Sequence, residues 1–184
     1  APTITTPAAD LTVECDGLGN TAQLTAWLAS NGGAVASDIC SNVTWTNNFE
    51  ALSDLCGNTG AATVIFTATD DCGNFSTTSA TFTIIDVTAP VVTCPENITV
   101  NNDPGLCSAY VTVPQPGYVE ACGSVILVNS INQTANASGV YQVGTTSVTW
   151  IVTDECGNSS SCSMTVTVVD NEAPVITCPE SLVL

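Results

Sequence analysis

The sequence predicts an all-β fold built from tandem repeats, and three observations support this. The hexapeptide "TDDCGN" at 69–74 recurs as "TDECGN" at 153–158, and a shift of 84 positions also aligns the residues that follow. Apolar and polar residues alternate along several short segments, and Pro, Gly and Asn cluster between them. Short alternating strands in units of about 85 residues are typical of an antiparallel immunoglobulin-like (Ig-like) β-sandwich.

The repeat sets the expected domain organisation. The same shift places Cys72 on Cys156 and Asp86 on Asp170, and the opening "APTITTPAADLTV" resembles "APVVTCPENITV" at 89–100. We therefore expect a first unit at 1–88, a second at 89–172 and the start of a third at 173–184. Such units form an extended array, and we expect this chain to be a piece of a longer exported protein.

Each unit contains a predicted hairpin. In "ATVIFTATD" and "SVTWIVTD" every second residue is apolar, which is the period of a half-buried strand. A second alternating run follows each Gly-Asn, so the pair predicts a β-hairpin. Further strands are expected at 98–100, 109–113 and 125–128. The alternating apolar residues are Val64, Phe66 and Ala68 in the first unit and Val148, Trp150 and Val152 in the second.

One segment departs from the strand pattern. "TAQLTAWLASNGG" places Leu24, Trp27 and Leu28 at helical spacing, with two glycines as a stop signal. We expect a short helix or turn near 22–30, with Trp27 packed in the core.

Composition excludes several functions. The 184 residues include no Lys, Arg or His and carry a formal charge of −17. Nucleic acid and anionic membranes both need basic residues, so neither is an expected partner, and no segment is predicted to insert into a membrane. Without His or Lys the usual nucleophilic and Schiff-base mechanisms are absent, and no enzyme activity is expected. No cofactor is predicted, although carboxylates could bind Ca²⁺.

Ten cysteines without a close C-x-x-C pair favour disulfides and an extracellular location. Cys94 corresponds to Thr6 of the first unit, and Cys162 corresponds to Thr78. Because both cysteines are missing together from the first unit, we expect them to be bonded to each other.

The other pairings are less constrained. A strand between Cys56 and Cys72 excludes their bond and leaves two arrangements in the first unit. We favour Cys40 with Cys72 and Cys15 with Cys56, because Cys122 and Cys156 repeat the first relationship. Two cysteines then lack a mate: Cys107, which could compete with Cys156 for Cys122, and Cys178, whose partner is expected beyond the chain.

Two kinds of binding site are also candidates. The acids Asp70 and Asp154 in the turns, with Asp86 and Asp170 at the unit junctions, could bind Ca²⁺, although no EF-hand loop is present and solvated surface charge or turn capping is the simpler explanation. Exposed aromatic residues could bind polysaccharide, and we expect Trp27, Trp45 and Tyr118 to lie outside the alternating strands.

At "APVVTCPENITV", "GTTSVTWIVTDECGNSSSCSMTVTVVD" and "APVITCPE" the sequence resembles the hyalin repeat, an Ig-like extracellular module. The resemblance implies a bond between the cysteine before Pro95 and the one in the final strand, in agreement with Cys94 and Cys162. Acidic tandem units with "D-x-CGN" turns also resemble giant repetitive surface adhesins of Bacteroidetes, including gliding-motility adhesins.

The two resemblances imply a structural stalk or filament at the cell surface that supports attachment or gliding. Neighbouring repeats are the expected partners, together with surface polysaccharide or other adhesin chains. The alternatives are a polysaccharide-binding module and a calcium-stiffened linker.

Overall fold

The computed structural model describes residues 1–178 and is built almost entirely of β-strands. Its first half contains β1 (Thr3–Thr6), β2 (Leu11–Glu14), α1 (Thr21–Ala29), a 3-10 turn (Asn31–Gly33), β3 (Val35–Ser37), β4 (Val43–Asn47), β5 (Gly60–Asp70) and β6 (Phe75–Ile85). Its second half contains β7 (Val91–Thr93), β8 (Ile98–Asn101), β9 (Ser108–Val111), β10 (Gly117–Val119), β11 (Val125–Asn129), β12 (Gly139–Gln142), β13 (Gly144–Asp154) and β14 (Ser159–Val169).

The chain forms two compact units that do not coincide with the sequence repeats. Unit 1 contains residues 1–90 together with two segments of the second repeat, 119–126 and 153–159. Of the described residues, unit 2 contains 91–118, 127–152 and 160–178. Two loops of the second repeat therefore belong to the compact unit that contains the whole first repeat.

Unit 1 is organised around a four-stranded sheet in the order β2-β6-β5-β4. Strands β5 and β6 form the predicted hairpin, with Val64 opposite Ala80 and Phe66 opposite Thr78, while β2 runs parallel to β6. A separate two-stranded sheet pairs β1 with β3. The strands alternate as predicted, since Val64, Phe66 and Phe82 are almost completely buried.

Helix α1 lies where apolar residues recur at helical spacing. Trp27 on this helix is buried and meets the edge of Phe66 with 5.3 Å between ring centroids. The chain leaves the helix through Gly32, whose φ of 64° lies in the left-handed region. A side chain at Gly32 would come within 3.1 Å of the Phe66 ring, so it would be crowded there as well.

Unit 2 repeats the plan with a sheet in the order β11-β13-β14-β8, in which β8 runs parallel to β14. Two smaller pairs, β9 with β12 and β7 with β10, accompany it. Its core centres on Trp150, Val148 and Val166, which are inaccessible to solvent, and on Met164. The fold is thus all-β with sandwich-like sheets.

The predicted third unit begins without regular structure. Residues 173–178 contain no strand, and Val175 and Ile176 are 93% and 85% exposed. The rest of that predicted unit, 179–184, lies outside the described residues. Within residues 1–178, no helix combines the length and apolar character needed to cross a membrane.

Candidate functional site

The first D-x-C-G-N turn is built around one carboxylate. Oδ1 of Asp70 accepts hydrogen bonds from the backbone N–H of Cys72 (2.9 Å) and of Asn74 (2.8 Å), and Oδ2 accepts one from Nδ2 of Asn74 at 2.8 Å. The hydrogen bond from the Asn74 side chain is the main reason that the pKa of Asp70 lies below its usual range. Gly73 supplies a φ of 82°, which the turn requires.

The second turn has the same construction. Oδ1 of Asp154 accepts a hydrogen bond from the Asn158 N–H at 2.8 Å, and Oδ2 accepts one from Asn158 Nδ2 at 2.9 Å. Gly157 has a φ of 91°. In both turns the carboxylate is buried and its two oxygens accept N–H groups, so Asp70 and Asp154 cap their turns.

Unit 1 contains two disulfides that connect cysteines far apart in sequence. Cys15 is bonded to Cys122, with 6.0 Å between Cα atoms and 107 positions of sequence separation. Cys56 is bonded to Cys156, with 5.1 Å between Cα atoms and 100 positions of separation. The N–H of Asn58 also donates to the Cys122 carbonyl at 3.0 Å. These contacts tie the loops 119–126 and 153–159 of the second repeat to the first repeat.

These bonds correct the pairings expected from sequence. Cys15 was expected to pair with Cys56, and Cys122 with Cys156, but the structure exchanges the partners between the two pairs. The physical reason is that loops 119–126 and 153–159 of the second repeat lie within unit 1, where their cysteines meet those of the first repeat. The third disulfide joins Cys94 to Cys162 and confirms this predicted pair, whose two cysteines are both missing from the first repeat.

The remaining cysteines are exposed thiols in the part of the chain that the structure describes. The expected bond between Cys40 and Cys72 is not formed, and neither is one from Cys107 to Cys122, because Cys122 is already bonded to Cys15. Cys178 is also free. The two thiols Cys40 and Cys72 occupy the repeat positions of Cys122 and Cys156, both of which are bonded.

A buried acid lies beside the disulfides of unit 1. Asp86 is 9% exposed; its Oδ1 accepts the Thr88 N–H at 3.2 Å, and its buried Oδ2 has no hydrogen-bond partner. Ligand atoms of Asp86, Glu120 and Cys122 lie within 4.8 Å of one another, but the Cys122 sulfur is bonded to Cys15 and is not a thiolate. Two carboxylates therefore converge on one small space.

Electrostatics at this position are unfavourable for a bare carboxylate. Desolvation raises the pKa of Asp86, and the negative charges of Asp154, Glu120 and Glu14 raise it further. The carboxylate of Glu14 has two hydrogen-bond donors. Its Oε1 accepts hydrogen bonds from the Thr88 hydroxyl at 2.7 Å and from the Val87 N–H at 3.0 Å, and these bonds lower the pKa of Glu14. Asp170, the repeat equivalent of Asp86, is exposed, so of the four proposed calcium candidates only Asp86 has a buried oxygen without a partner.

The three aromatic candidates for polysaccharide binding differ in exposure. Trp27 is buried and its Nε1 donates to the Ala9 carbonyl at 3.1 Å, so its ring is unavailable for stacking. Trp45 is half-buried against the core of unit 1, whereas Tyr118 is 49% exposed. Packing explains two of the three residues.

Disulfide-linked all-β modules with hairpin turns are typical of extracellular proteins. Residues 85–168, just under half of the chain, match the model of the HYR domain, a family of adhesion-type extracellular modules also known as the hyalin repeat.

The curated relatives include two hyalins. The chain is 35% identical over 97 residues to hyalin of Strongylocentrotus purpuratus and 34% identical over 103 residues to hyalin of Lytechinus variegatus. It is 31% identical over 91 residues to a Rattus norvegicus protein named for sushi, von Willebrand factor type A, EGF and pentraxin domains. These alignments cover 51%, 54% and 50% of this chain, which spans only 8%, 19% and 2% of the respective relatives.

Solved structures resemble the chain at much lower sequence identity. Drosophila N-cadherin EC1-4 is 12% identical with a TM-score of 0.39, over 91% of this chain and 49% of that one. The fibronectin(III)-like modules of Clostridium thermocellum CbhA are 13% identical with a TM-score of 0.34, over 97% of this chain and all of theirs.

Proposed function

We propose that this chain is a non-enzymatic stalk segment of a large secreted adhesin at the cell surface, with neighbouring repeats as its partners. The observation that supports this most strongly is the pair of disulfides, Cys15–Cys122 and Cys56–Cys156, that hold two loops of the second repeat inside unit 1. These loops cannot leave unit 1 unless a covalent bond is broken. A stalk needs this property because tension applied to a chain otherwise separates its repeats at their weakest non-covalent contacts.

Composition supports the same role. The absence of Lys and Arg removes the sites at which trypsin-type proteases cleave, which suits an exposed filament. Adhesion would then come from many weak contacts whose avidity grows with the number of repeats. Support of surface gliding is the narrower form of this proposal and rests on the sequence resemblance alone, since the relatives described above are animal proteins.

Single-molecule pulling from the two ends tests the stalk role. In an oxidised chain that carries Cys94→Ser and Cys162→Ser, the bond between Cys15 and Cys122 should hide the 107 positions between them, about 370 Å of contour at about 3.5 Å per residue. We expect the oxidised chain to stop extending short of the reduced chain by roughly that length. Equal extension before and after reduction would rule out a covalently protected stalk.

A glycan array separates the stalk from the polysaccharide-binding alternative. The stalk proposal expects no binding on the array. Binding that is lost in Tyr118→Ala but kept in Tyr110→Ala, the control at a tyrosine that is 62% exposed, would favour a glycan-binding module instead.

A second candidate, a calcium-stiffened linker, is favoured by one observation, the unpartnered buried Oδ2 of Asp86. Calcium binds carboxylate oxygens at about 2.4 Å, so two oxygens on one ion are at most about 4.8 Å apart. The Asp86 and Glu120 oxygens meet this limit. A bound cation would give Oδ2 a partner and offset the charges of Glu14, Glu120 and Asp154.

Thermal unfolding in calcium tests this candidate. If the dissociation constant is on the order of 0.1 mM, 10 mM CaCl2 should raise the Tm by about 5–10 °C at constant ionic strength. Asp86→Asn should abolish the increase, whereas Asp170→Asn, at the same position of the second repeat, should retain it. The same Tm with and without CaCl2 in the unsubstituted chain would eliminate the candidate.

A further inference from the structure

We propose that Cys40 and Cys72 form two disulfides with another repeat of this kind, placed before Ala1 in the same polypeptide. In the second repeat the equivalent residues are Cys122 and Cys156, and each is bonded to a cysteine of the repeat before it, Cys15 or Cys56. The first repeat thus has the same two attachment points, and both are exposed thiols.

The loops that carry these cysteines are built alike. Cys40 precedes the start of β4 by three residues, and Cys122 precedes the start of β11 by three. Cys72 and Cys156 occupy the third position of the two D-x-C-G-N turns, whose capping hydrogen bonds match. The environment of each thiol therefore follows from the local sequence and is repeated.

The contact between the two loops is also repeated. In the first repeat a carboxylate oxygen of Asp71 accepts the Asn42 N–H at 3.4 Å. At the equivalent positions of the second repeat, Glu155 accepts a hydrogen bond from the Ser124 hydroxyl. Each pair of loops is held together by the acid that follows the strand, so both pairs of cysteines are presented together.

The equivalent cysteines Cys122 and Cys40 differ in burial, and the missing partner of Cys40 explains the difference. Cys122, whose partner is present, is 4% exposed, and the neighbouring backbone is in close contact with Gly57 and Gly17. A Cβ atom added to Gly57 would come within 1.9 Å of the Cys122 carbonyl oxygen, so that side of the contact requires glycine. Cys40 lies in the equivalent loop but is exposed.

The chemistry defines the partner as a repeat of the first type. It must supply one cysteine directly after the strand equivalent to β2 and another in the loop before β5, as Cys15 and Cys56 do here. A copy of the second repeat could not be this partner, because Asn102 occupies the place of Cys15. The Asn102 N–H donates to the Val169 carbonyl at the end of the last strand of its repeat, just as the Cys15 N–H donates to the Ile85 carbonyl.

Bond formation is an oxidation. In each bond two thiols lose two protons and two electrons and form one S–S bond. The electrons pass to a disulfide of an oxidoreductase or a small molecule, which is reduced to its two thiols. Such disulfide oxidants are characteristic of the extracellular and secretory compartments.

The test adds a copy of residues 1–88 before Ala1 of the full chain, with Cys40 and Cys72 of the added copy changed to Ser. Joining Thr88 to Ala1 reproduces the natural Thr88–Ala89–Pro90 junction, because the chain begins with the same Ala-Pro. Unreduced protein is alkylated, digested with pepsin at acid pH and analysed by mass spectrometry. The unextended 184-residue chain is the reference, and Cys107→Ser in the extended chain is the matched control.

We expect alkylation of Cys40 and Cys72 to be nearly complete in the reference and nearly lost in the extended chain. The extended chain should instead yield a Cys40 peptide linked to a Cys15 peptide and a Cys72 peptide linked to a Cys56 peptide. Cys107→Ser should not change this result. A bond between Cys40 and Cys72, or continued alkylation of both in a folded extended chain, would overturn the proposal.

A second measurement covers the case in which the added copy does not fold. The protein isolated from its source is digested without reduction, and the peptides that contain Cys40 and Cys72 must each be linked to a cysteine from outside residues 1–184. Free thiols at both positions would contradict the proposal. This outcome is independent of the adhesive role, which the pulling and glycan experiments test separately.

Discussion

The two D-x-C-G-N turns are nearly identical in sequence and hydrogen bonding, yet their cysteines differ in state. Asp70 and Asp154 cap their turns through the same contacts with Asn74 and Asn158. Cys156 is bonded to the repeat that precedes it, whereas Cys72 is a free, exposed thiol. Local sequence thus determines the turn, while the preceding repeat determines what the cysteine does.

The largest expected effect on stability is the difference between removing the disulfide at the second turn and removing the free thiols at the first turn. Cys56→Ser with Cys156→Ser should lower the free energy of unfolding by about 4 kcal/mol, because the bond closes a long loop in the unfolded chain. Cys40→Ser with Cys72→Ser should change it by less than about 0.5 kcal/mol. Guanidinium unfolding measures both, and comparable losses in the two double variants would mean that Cys40 and Cys72 are bonded.

An intermediate effect should be shared by the two turns. Gly73→Ala and Gly157→Ala place a side chain at φ values of 82° and 91°, which costs about 1–2 kcal/mol. Nothing lies within 4 Å of the added Cβ at either glycine, so the cost is conformational. Gly139→Ala, where the Cβ position is equally open and φ is ordinary, is the control and should cost less. Unequal losses at Gly73 and Gly157 would show that the turns are not locally determined.

The smallest effect is a pH dependence in the first turn. Because hydrogen bonds lower the pKa of Asp70 in the folded chain, its ionised form contributes stability above the carboxyl's usual pKa. That contribution is lost as the pH falls through the lowered pKa. Asp70→Asn should therefore weaken the acid-side decline in Tm, and the exposed control Asp54→Asn should leave it intact. Parallel declines in all three proteins would contradict the assigned role.

The sequence was sufficient where a local pattern determines the structure. Alternation located the hairpin strands, with Val148, Trp150 and Val152 all fully buried, and helical spacing located α1 around Trp27. The bond between Cys94 and Cys162 followed from a difference between the repeats, because each cysteine lacks a counterpart in the first repeat.

The sequence did not predict the features that depend on contacts between residues far apart in the chain. No local pattern indicates that loops 119–126 and 153–159 belong to unit 1, so the partners of Cys15 and Cys56 were assigned within their own repeat. Asp86 and Asp170 each follow two β-branched residues and lie three positions before an Ala-Pro, but only Asp86 is buried. A comparison of the repeats identifies these positions as equivalent, although it does not reveal which of them another loop covers.

Disulfide mapping of the unreduced 184-residue protein tests the central claim most directly. Peptic digestion at acid pH followed by mass spectrometry should yield peptides that link Cys15 to Cys122 and Cys56 to Cys156, with Cys40 and Cys72 alkylated. Recovery of Cys15 linked to Cys56 and Cys122 linked to Cys156 would instead show that each repeat closes on itself, and would contradict a covalent connection between the repeats.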